Sequence, residues 1–256
     1  RDMVQNHLLQ LLCLVAMEPP LDLDPDTVRD EKIKVLRALR PIASADARHV
    51  TVRGQYAAGA SDGAAVPSYA EELGAASLTE TFVAIKANID NWRWRDVPFY
   101  LRTGKRMAEA RTMVAICFKQ PPKHFFRSAH IERPPPNWLI MSIAPEESLR
   151  LEISVKEPGP EMKTRQISLD APFRCEHHAR TDAYEGLLLD VIEGDRSLFL
   201  RYDEVEWAWR IVDPVLGVWA SERDYIPTHP AGQWEPEEVS RIFNREHHRW
   251  MGWYVV

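Results

Sequence analysis

Strand-forming segments follow one another through the middle of the sequence, and this order constrains the fold more than any other feature. Residues 148–156 alternate between apolar and polar side chains, which is the period of a half-buried strand. Residues 112–118 and 138–143 are nearly continuous apolar runs, as in strands covered on both faces. Three further segments are rich in β-formers: 49–54, 78–89 and 165–170. Because no long helical pattern separates these segments, they predict a mainly antiparallel sheet.

Helical patterns flank the strands on both sides. Residues 3–17 predict a buried helix that ends before Pro19, because only Gln10 is polar from Leu8 to Met17. An acidic cap at Asp24 followed by Pro25 predicts the start of a second helix. After the strands, three more helices are predicted: one over 184–194, one that ends at Pro214 and a short one after Pro236. The order predicts an α+β fold, a large mostly antiparallel β-sheet with helices packed on one face.

Composition excludes several classes of protein. A chain of 256 residues is long enough to bury a real core. The net charge of −6 argues against a nucleic-acid partner, and no apolar run approaches the roughly 20 residues of a membrane span. The three cysteines are too few for a disulfide framework, so we expect reduced thiols and a cytoplasmic location. The chain begins with Arg1 instead of methionine, and we expect it to be a piece of a longer protein.

Two kinds of site are not expected in this chain. The sequence contains neither GxGxxG nor GxxxxGK[ST], so it offers no Gly-rich turn for the phosphates of a dinucleotide, and no cofactor-binding residue is assigned. Cys175, His177 and His178 form the best candidate metal cluster, but no second ligand pair stands at zinc spacing. We therefore predict no metal site.

His7 is the first residue that could carry chemistry. Histidine titrates near neutral pH, so a fixed imidazole can accept a proton from a substrate hydroxyl. Asp2 lies five residues earlier and could reach the same pocket from the start of the helix. The alternative interpretation is a hydrogen-bonded histidine of the core, since the surrounding helix is largely apolar.

A cluster of cations around Lys105 is the second candidate. The segment 102–106 reads RTGKR, and Arg111 follows closely. Arginine forks and a lysine ammonium both suit phosphate or carboxylate, and Gly104 lets the backbone turn. The alternative interpretation is a solvated strand end with surface ion pairs.

Three long blocks of the sequence resemble the glucose-6-phosphate dehydrogenase family. They read RDMVQNHLLQLLCLVAMEPP, TETFVAIKANIDNWRWRDVPFYLRTGKR and DAYEGLLLDVIEGDRSLFLRYDEVEWAWRIVDPVL. The resemblance covers essentially the whole chain and only the C-terminal part of the family. It implies that residues 1–256 are a substrate-binding and oligomerisation domain, and that an N-terminal Rossmann coenzyme domain would precede Arg1. It also implies a homo-oligomer formed through the β-sheet.

The resemblance implies roles for single residues. His7 matches the general base, which takes the proton from the C1 hydroxyl of D-glucose 6-phosphate while C1 passes a hydride to NADP, giving 6-phospho-D-glucono-1,5-lactone. Asp2 matches a carboxylate that binds the sugar, and Lys105 matches a lysine on the phosphate side. The family usually has a second cation where this sequence has Ala110, and the adjacent Arg111 is the candidate to replace it. NADP would be bound mainly by the coenzyme domain.

Two further departures from the family pattern concern the coenzyme, and two alternatives to an active enzyme stay open. Ser142 and Ala144 stand where the family usually has arginine and glutamine, which argues against a second, structural NADP site in this chain. One alternative is a non-catalytic module that binds sugar phosphates or acts as a scaffold without a coenzyme domain. Another is a diverged homologue that has lost activity, although the joint presence of Asp2, His7 and Lys105 argues against it.

Overall fold

A computed structural model describes residues 2–61, 63–122, 134–173, 183–222, 225–243 and 250. The chain divides into two compact units, the first formed by Arg1–Glu109 with Thr181–Val256 and the second by Ala110–Arg180. The predicted α+β class and the largely antiparallel pairing are both confirmed. The assignment of residues 1–256 to one substrate-binding and oligomerisation domain stays a prediction.

The first unit is built on a four-stranded sheet and a separate pair of strands. Its strands are β1 (Thr51–Ala57), β2 (Gly59–Ser61), β3 (Ala64–Val66), β4 (Phe82–Asn88), β5 (Pro98–Gly104) and β10 (Thr228–Pro230). The sheet order is β10-β1-β4-β5, and β2 pairs with β3. Strand β1 is antiparallel to β4, β4 is antiparallel to β5, and β10 adds to β1 in parallel. The sheet therefore joins strands that lie far apart in the sequence.

The described helices include the one whose start the cap at Asp24 predicts. They are α1 (Leu9–Ala16), α2 (Pro25–Ala38), α3 (Ala47–Val50), α4 (Tyr69–Leu73), α5 (Ala183–Glu193) and α6 (Tyr202–Ser221). The Asp24 carboxylate accepts a hydrogen bond from the Asp26 backbone N–H, which confirms the predicted start of α2. A π-helix, Met3–Leu8, precedes α1, and a 3₁₀-helix, Glu237–Ile242, follows Pro236.

The prediction that α6 ends at Pro214 is wrong, because the helix continues to Ser221. Val212, Val215 and Trp219 are buried on both sides of the proline. Burial of this apolar face outweighs the hydrogen bond that the proline ring removes from the helix.

The core of the first unit lies on both faces of strand β4. Val83 and Ile85 point to one face, where they pack against buried residues of α1, α2 and α6. Phe82 and Ala84 point to the other face and pack against the 3₁₀-helix. This alternation follows from the two-residue period of a strand. The long helices thus share one face of the sheet, as predicted.

The second unit is a four-stranded antiparallel sheet. Its strands are β6 (Thr112–Cys117), β7 (Trp138–Ala144), β8 (Ser148–Lys156) and β9 (Thr164–Pro172), paired in the order β6-β7-β8-β9. Strand β8 has the bounds that its alternating sequence predicts. In the described part of the chain, no helix is long and apolar enough to cross a membrane.

Candidate active site

His7 lies on the π-helix that precedes α1, and its side chain is 61% exposed. The interpretation as a core histidine is therefore wrong. In an α-helix, side chains five residues apart point about 140° away from each other. In a π-helix the hydrogen bonds join residues five apart, so such side chains lie over one another. Accordingly, His7 Nε2 lies 3.6 Å from Asp2 Oδ2.

Asn6 holds the other oxygen of the same carboxylate. Its Nδ2 donates a hydrogen bond of 2.7 Å to Asp2 Oδ1. Asp2 is thus flanked by Asn6 on one oxygen and by His7 on the other. Sequence reasoning missed Asn6, although it lies four residues after Asp2, the spacing at which side chains of a helix meet.

Lys105 lies directly after the last residue of β5, and its side chain is exposed. Its backbone N–H donates to the Thr81 carbonyl at 2.8 Å, which ties the turn to the chain just before β4. Gly104 makes room for the turn: a Cβ there would lie 2.9 Å from Phe82 Cδ2 and 2.9 Å from Met107 Sδ. The glycine is therefore favoured by close packing.

A cavity of about 700 Å³ in the first unit brings Asp2 and Lys105 together. Its walls come from the start of the π-helix, the segment 79–85, the end of β5 and the face of α6 around residues 212–220. His7 does not line this cavity itself, but its Nε2 lies 3.6 Å from the carboxylate of Asp2, which does. The cavity is large enough for a small ligand such as a sugar phosphate.

The charged side chains of the cavity suit a polyol with one anionic group. Asp2, Glu80 and Asp213 supply carboxylates, which accept hydrogen bonds from hydroxyl groups. Among the described residues that line the cavity, Lys105 carries the only positive charge. Lys105 can therefore bind an anionic group, and the carboxylates can accept hydrogen bonds from hydroxyl groups.

The other two cations of the RTGKR cluster have partners of their own. Arg102 Nη1 donates to Glu235 Oε2 at 2.7 Å, and its guanidinium lies between the Trp234 and Trp250 rings. Burial lowers the pKa of Arg102 and raises the pKa of Glu235. Arg106 pairs with Glu72. The strand-end interpretation therefore fits Arg106, whereas the ion pair of Arg102 is largely buried, with the arginine side chain 15% exposed. Lys105 is the cation of the cluster that lines the cavity.

The remaining candidate residues lie in the second unit. Arg111 is exposed and stands directly before β6, next to Ala110. Ser142 and Ala144 lie on β7. Their roles toward a substrate or coenzyme stay predictions.

The structure adds two facts about metals and thiols. Among the described residues, no group of three or more His, Cys, Asp and Glu side chains could hold a metal ion. Cys175, His177 and His178 lie outside the described residues. Cys13 and Cys117 are free thiols, and burial raises the pKa of Cys13 to about 12.

Residues 1–251 match the family described as glucose-6-phosphate dehydrogenase, C-terminal domain. The chain belongs to this family. It is 50% identical over 253 residues to the glucose-6-phosphate 1-dehydrogenase of Rhizobium meliloti (strain 1021), covering 98% of this chain and 51% of the relative. It is 47% identical over 255 residues to the enzyme of the same name from Mycolicibacterium smegmatis, with the same coverage.

Solved structures of glucose-6-phosphate dehydrogenases share the fold. One, described as the enzyme in complex with its substrate glucose-6-phosphate, superposes with a TM-score of 0.80 at 34% identity, covering 94% of this chain and 49% of that chain. Another, the glucose-6-phosphate 1-dehydrogenase of Mycobacterium avium, gives 0.77 at 36% identity, covering 99% of this chain and 50% of that one. The chain therefore spans about half the length of the glucose-6-phosphate dehydrogenases that it matches.

Proposed function

We propose that the chain is the substrate-binding part, with the catalytic base, of an enzyme that oxidises D-glucose 6-phosphate to 6-phospho-D-glucono-1,5-lactone with NADP. The cavity that brings Asp2 and Lys105 together, with His7 beside Asp2, carries this proposal. The name of the family and the substrate in the related complex agree with it.

In the proposed reaction His7 is the general base. Its exposed imidazole accepts the proton of the C1 hydroxyl, and Asp2 Oδ2 beside it stabilises the imidazolium that forms. The distance of 3.6 Å between His7 Nε2 and Asp2 Oδ2 is longer than a hydrogen bond, so the two atoms do not form one with each other. Asp2 can therefore also accept a hydrogen bond from a sugar hydroxyl.

Lys105 binds the phosphate in this proposal. Its ammonium is a compact charge with three donors, and the cavity places it together with carboxylates that suit hydroxyl groups. Arg111 is proposed as a second cation for the substrate, because it stands next to the position where the family usually has one.

The described residues do not fit the phosphates of a dinucleotide. Of the described glycines that approach another backbone closely, Gly59 lies on β2 and Gly232 follows β10, and neither opens a helix. We therefore assign the NADP site to residues outside those described. When bound, the nicotinamide supplies the hydride acceptor, and this chain supplies the base and the sugar site.

Kinetics of the natural full-length protein test these roles. His7→Asn keeps a polar side chain but removes the base, so we expect kcat to fall by about 10²–10⁴ with little change in KM. Lys105→Ala should raise KM for glucose 6-phosphate by about tenfold or more, because a charge-assisted hydrogen bond is lost. Lys34→Ala is the control, since Lys34 is an exposed lysine of α2 paired with Glu31. A normal kcat in His7→Asn would refute the base assignment.

The alternative of a non-catalytic binding module gives a different result. Such a module would bind glucose 6-phosphate through Lys105 but would not oxidise it. Absence of NADP reduction by the natural full-length protein, together with intact sugar-phosphate binding, would favour the module over the enzyme.

We also propose that the protein is a cytoplasmic homo-oligomer formed through the sheet of the second unit. Strand β9 has nine residues and lies at an edge of that sheet, and Leu169 is 54% exposed on it. A long edge strand of this kind presents backbone N–H and C=O groups that can pair with a strand of another chain. Sedimentation of the wild type and of Leu169→Asp tests the proposal, and a wild-type monomer would contradict it.

A further inference from the structure

Arg106, the residue after Lys105, has a backbone conformation that side chains rarely adopt. Its φ is +51°, in the left-handed region, and it is one of two non-glycine residues with positive φ among those described. Such a conformation persists only where surrounding contacts hold it, and it often marks a functional turn.

The Arg106 side chain is tied to helix α4 and, through it, to β1. Arg106 Nη2 donates to Glu72 Oε1 at 2.8 Å. The other oxygen of the same carboxylate, Glu72 Oε2, accepts from the Tyr56 hydroxyl at 2.6 Å. Tyr56 is buried in β1, so Glu72 is anchored to a rigid strand. These two donors lower the pKa of Glu72, which keeps it charged near neutral pH.

Backbone contacts close this network into a ring. The Tyr56 N–H donates to Thr81 Oγ1 at 3.0 Å, and the Thr81 carbonyl accepts from the Lys105 N–H at 2.8 Å. The ring therefore runs from Lys105 and Arg106 through Glu72, Tyr56 and Thr81 back to Lys105. In addition, the Arg106 carbonyl accepts from the Gly232 N–H at 2.8 Å. Thr81 lines the same cavity as Lys105.

We infer that Arg106 is a positioning residue for Lys105, and that its ion pair with Glu72 holds the turn from which Lys105 enters the cavity. The inference rests on the proposed function, in which Lys105 binds the substrate phosphate. Arg106 acts through the turn and does not touch the substrate in this account. An exposed ion pair by itself stabilises a protein little, so the expected effect is on substrate binding and not on overall stability.

Three substitutions in the natural full-length protein test this role. Arg106→Gly removes the ion pair and accepts positive φ without strain, so this variant should fold. Glu72→Gln keeps an acceptor for Tyr56 and removes the charge that pairs with Arg106. Both variants should weaken glucose 6-phosphate binding, measured by calorimetry, by about five- to tenfold while kcat stays within about twofold. Arg40→Ala breaks an exposed arginine–aspartate pair and is the matched control, with unchanged binding expected.

A double-mutant cycle with Lys105→Ala separates positioning from direct contact. If Arg106 acts only through Lys105, Arg106→Gly should change the affinity of the Lys105→Ala protein by less than about twofold. Additive losses would mean that Arg106 binds the substrate itself, and they would overturn the inference. Normal binding by Arg106→Gly, with weak binding by Lys105→Ala, would also overturn it and leave the proposed function intact. Normal binding by Lys105→Ala would instead refute the proposed phosphate site.

Discussion

Gly104 offers a sharp test of how the turn before Lys105 is packed. In Gly104→Ala the new Cβ would lie 2.9 Å from Phe82 Cδ2 and 2.9 Å from Met107 Sδ. Carbon atoms normally pack at about 3.5–4.0 Å, so at least one neighbour must move by about 0.6 Å. Phe82 is 1% exposed and pairs with Gly104 across β4 and β5, so it has little room to move.

The cost of Gly104→Ala follows from these distances. Overpacking of a core costs about 1–3 kcal/mol. Replacing glycine by alanine returns about 0.4–1 kcal/mol, because the unfolded chain loses conformational freedom. The middle of the first range less the middle of the second gives an expected net loss of about 1 kcal/mol in the free energy of unfolding. Movement of the turn should also displace Lys105 and weaken glucose 6-phosphate binding several-fold.

Urea denaturation followed by circular dichroism measures the first effect, and calorimetric titration measures the second. Gly186→Ala in α5 is the control, because a Cβ there meets no atom within 4 Å. This control should gain about 0.5–1 kcal/mol, the cost of glycine inside a helix. Wild-type stability and binding in Gly104→Ala would refute the packing argument.

Three further substitutions test separate parts of the structure. Asn6→Leu removes the hydrogen bond to Asp2 and should raise KM for glucose 6-phosphate several-fold with the fold intact; unchanged kinetics would contradict a role for Asn6. Burial lowers the pKa of His229, so below about pH 6.5 the unfolded chain binds a proton that the native state does not, and stability falls. In His229→Gln this contribution is absent, so urea denaturation should show a weaker loss of stability between pH 7 and pH 5; an identical pH profile would be contrary evidence. Pro214→Ala restores a hydrogen bond donor inside α6 and should add about 1–3 kcal/mol of stability, read from thermal unfolding, and a loss of stability would show that the proline fits its site.

Features set by local sequence were predictable. The strand Ser148–Lys156 has the predicted bounds, because its alternation already separates the more exposed face from the less exposed one. The start of α2 follows from the cap at Asp24, whose hydrogen bond is local. The positive φ of Gly194, after α5, likewise agrees with the helix end predicted there.

Features set by distant contacts were not predictable. The predicted end of α6 at Pro214 was wrong, because the helix continues far enough to bury Trp219 beyond the proline. The ion-pair partners of two arginines lie far away in the sequence: Glu235 for Arg102 and Glu72 for Arg106. No local pattern predicts such pairs. The π-helix was missed because the sequence analysis treated residues 3–17 as one regular helix, although the π-helix decides that Asp2 faces His7.

Calorimetric titration of glucose 6-phosphate into this chain tests the central claim most directly. If the cavity between Asp2 and Lys105 is the sugar-phosphate site, the chain should bind glucose 6-phosphate about tenfold or more tightly than glucose, since only the phosphate engages the lysine. Lys105→Ala should abolish that difference, and Lys34→Ala should preserve it. Equal affinity for the two sugars, or an unchanged preference in Lys105→Ala, would contradict the account.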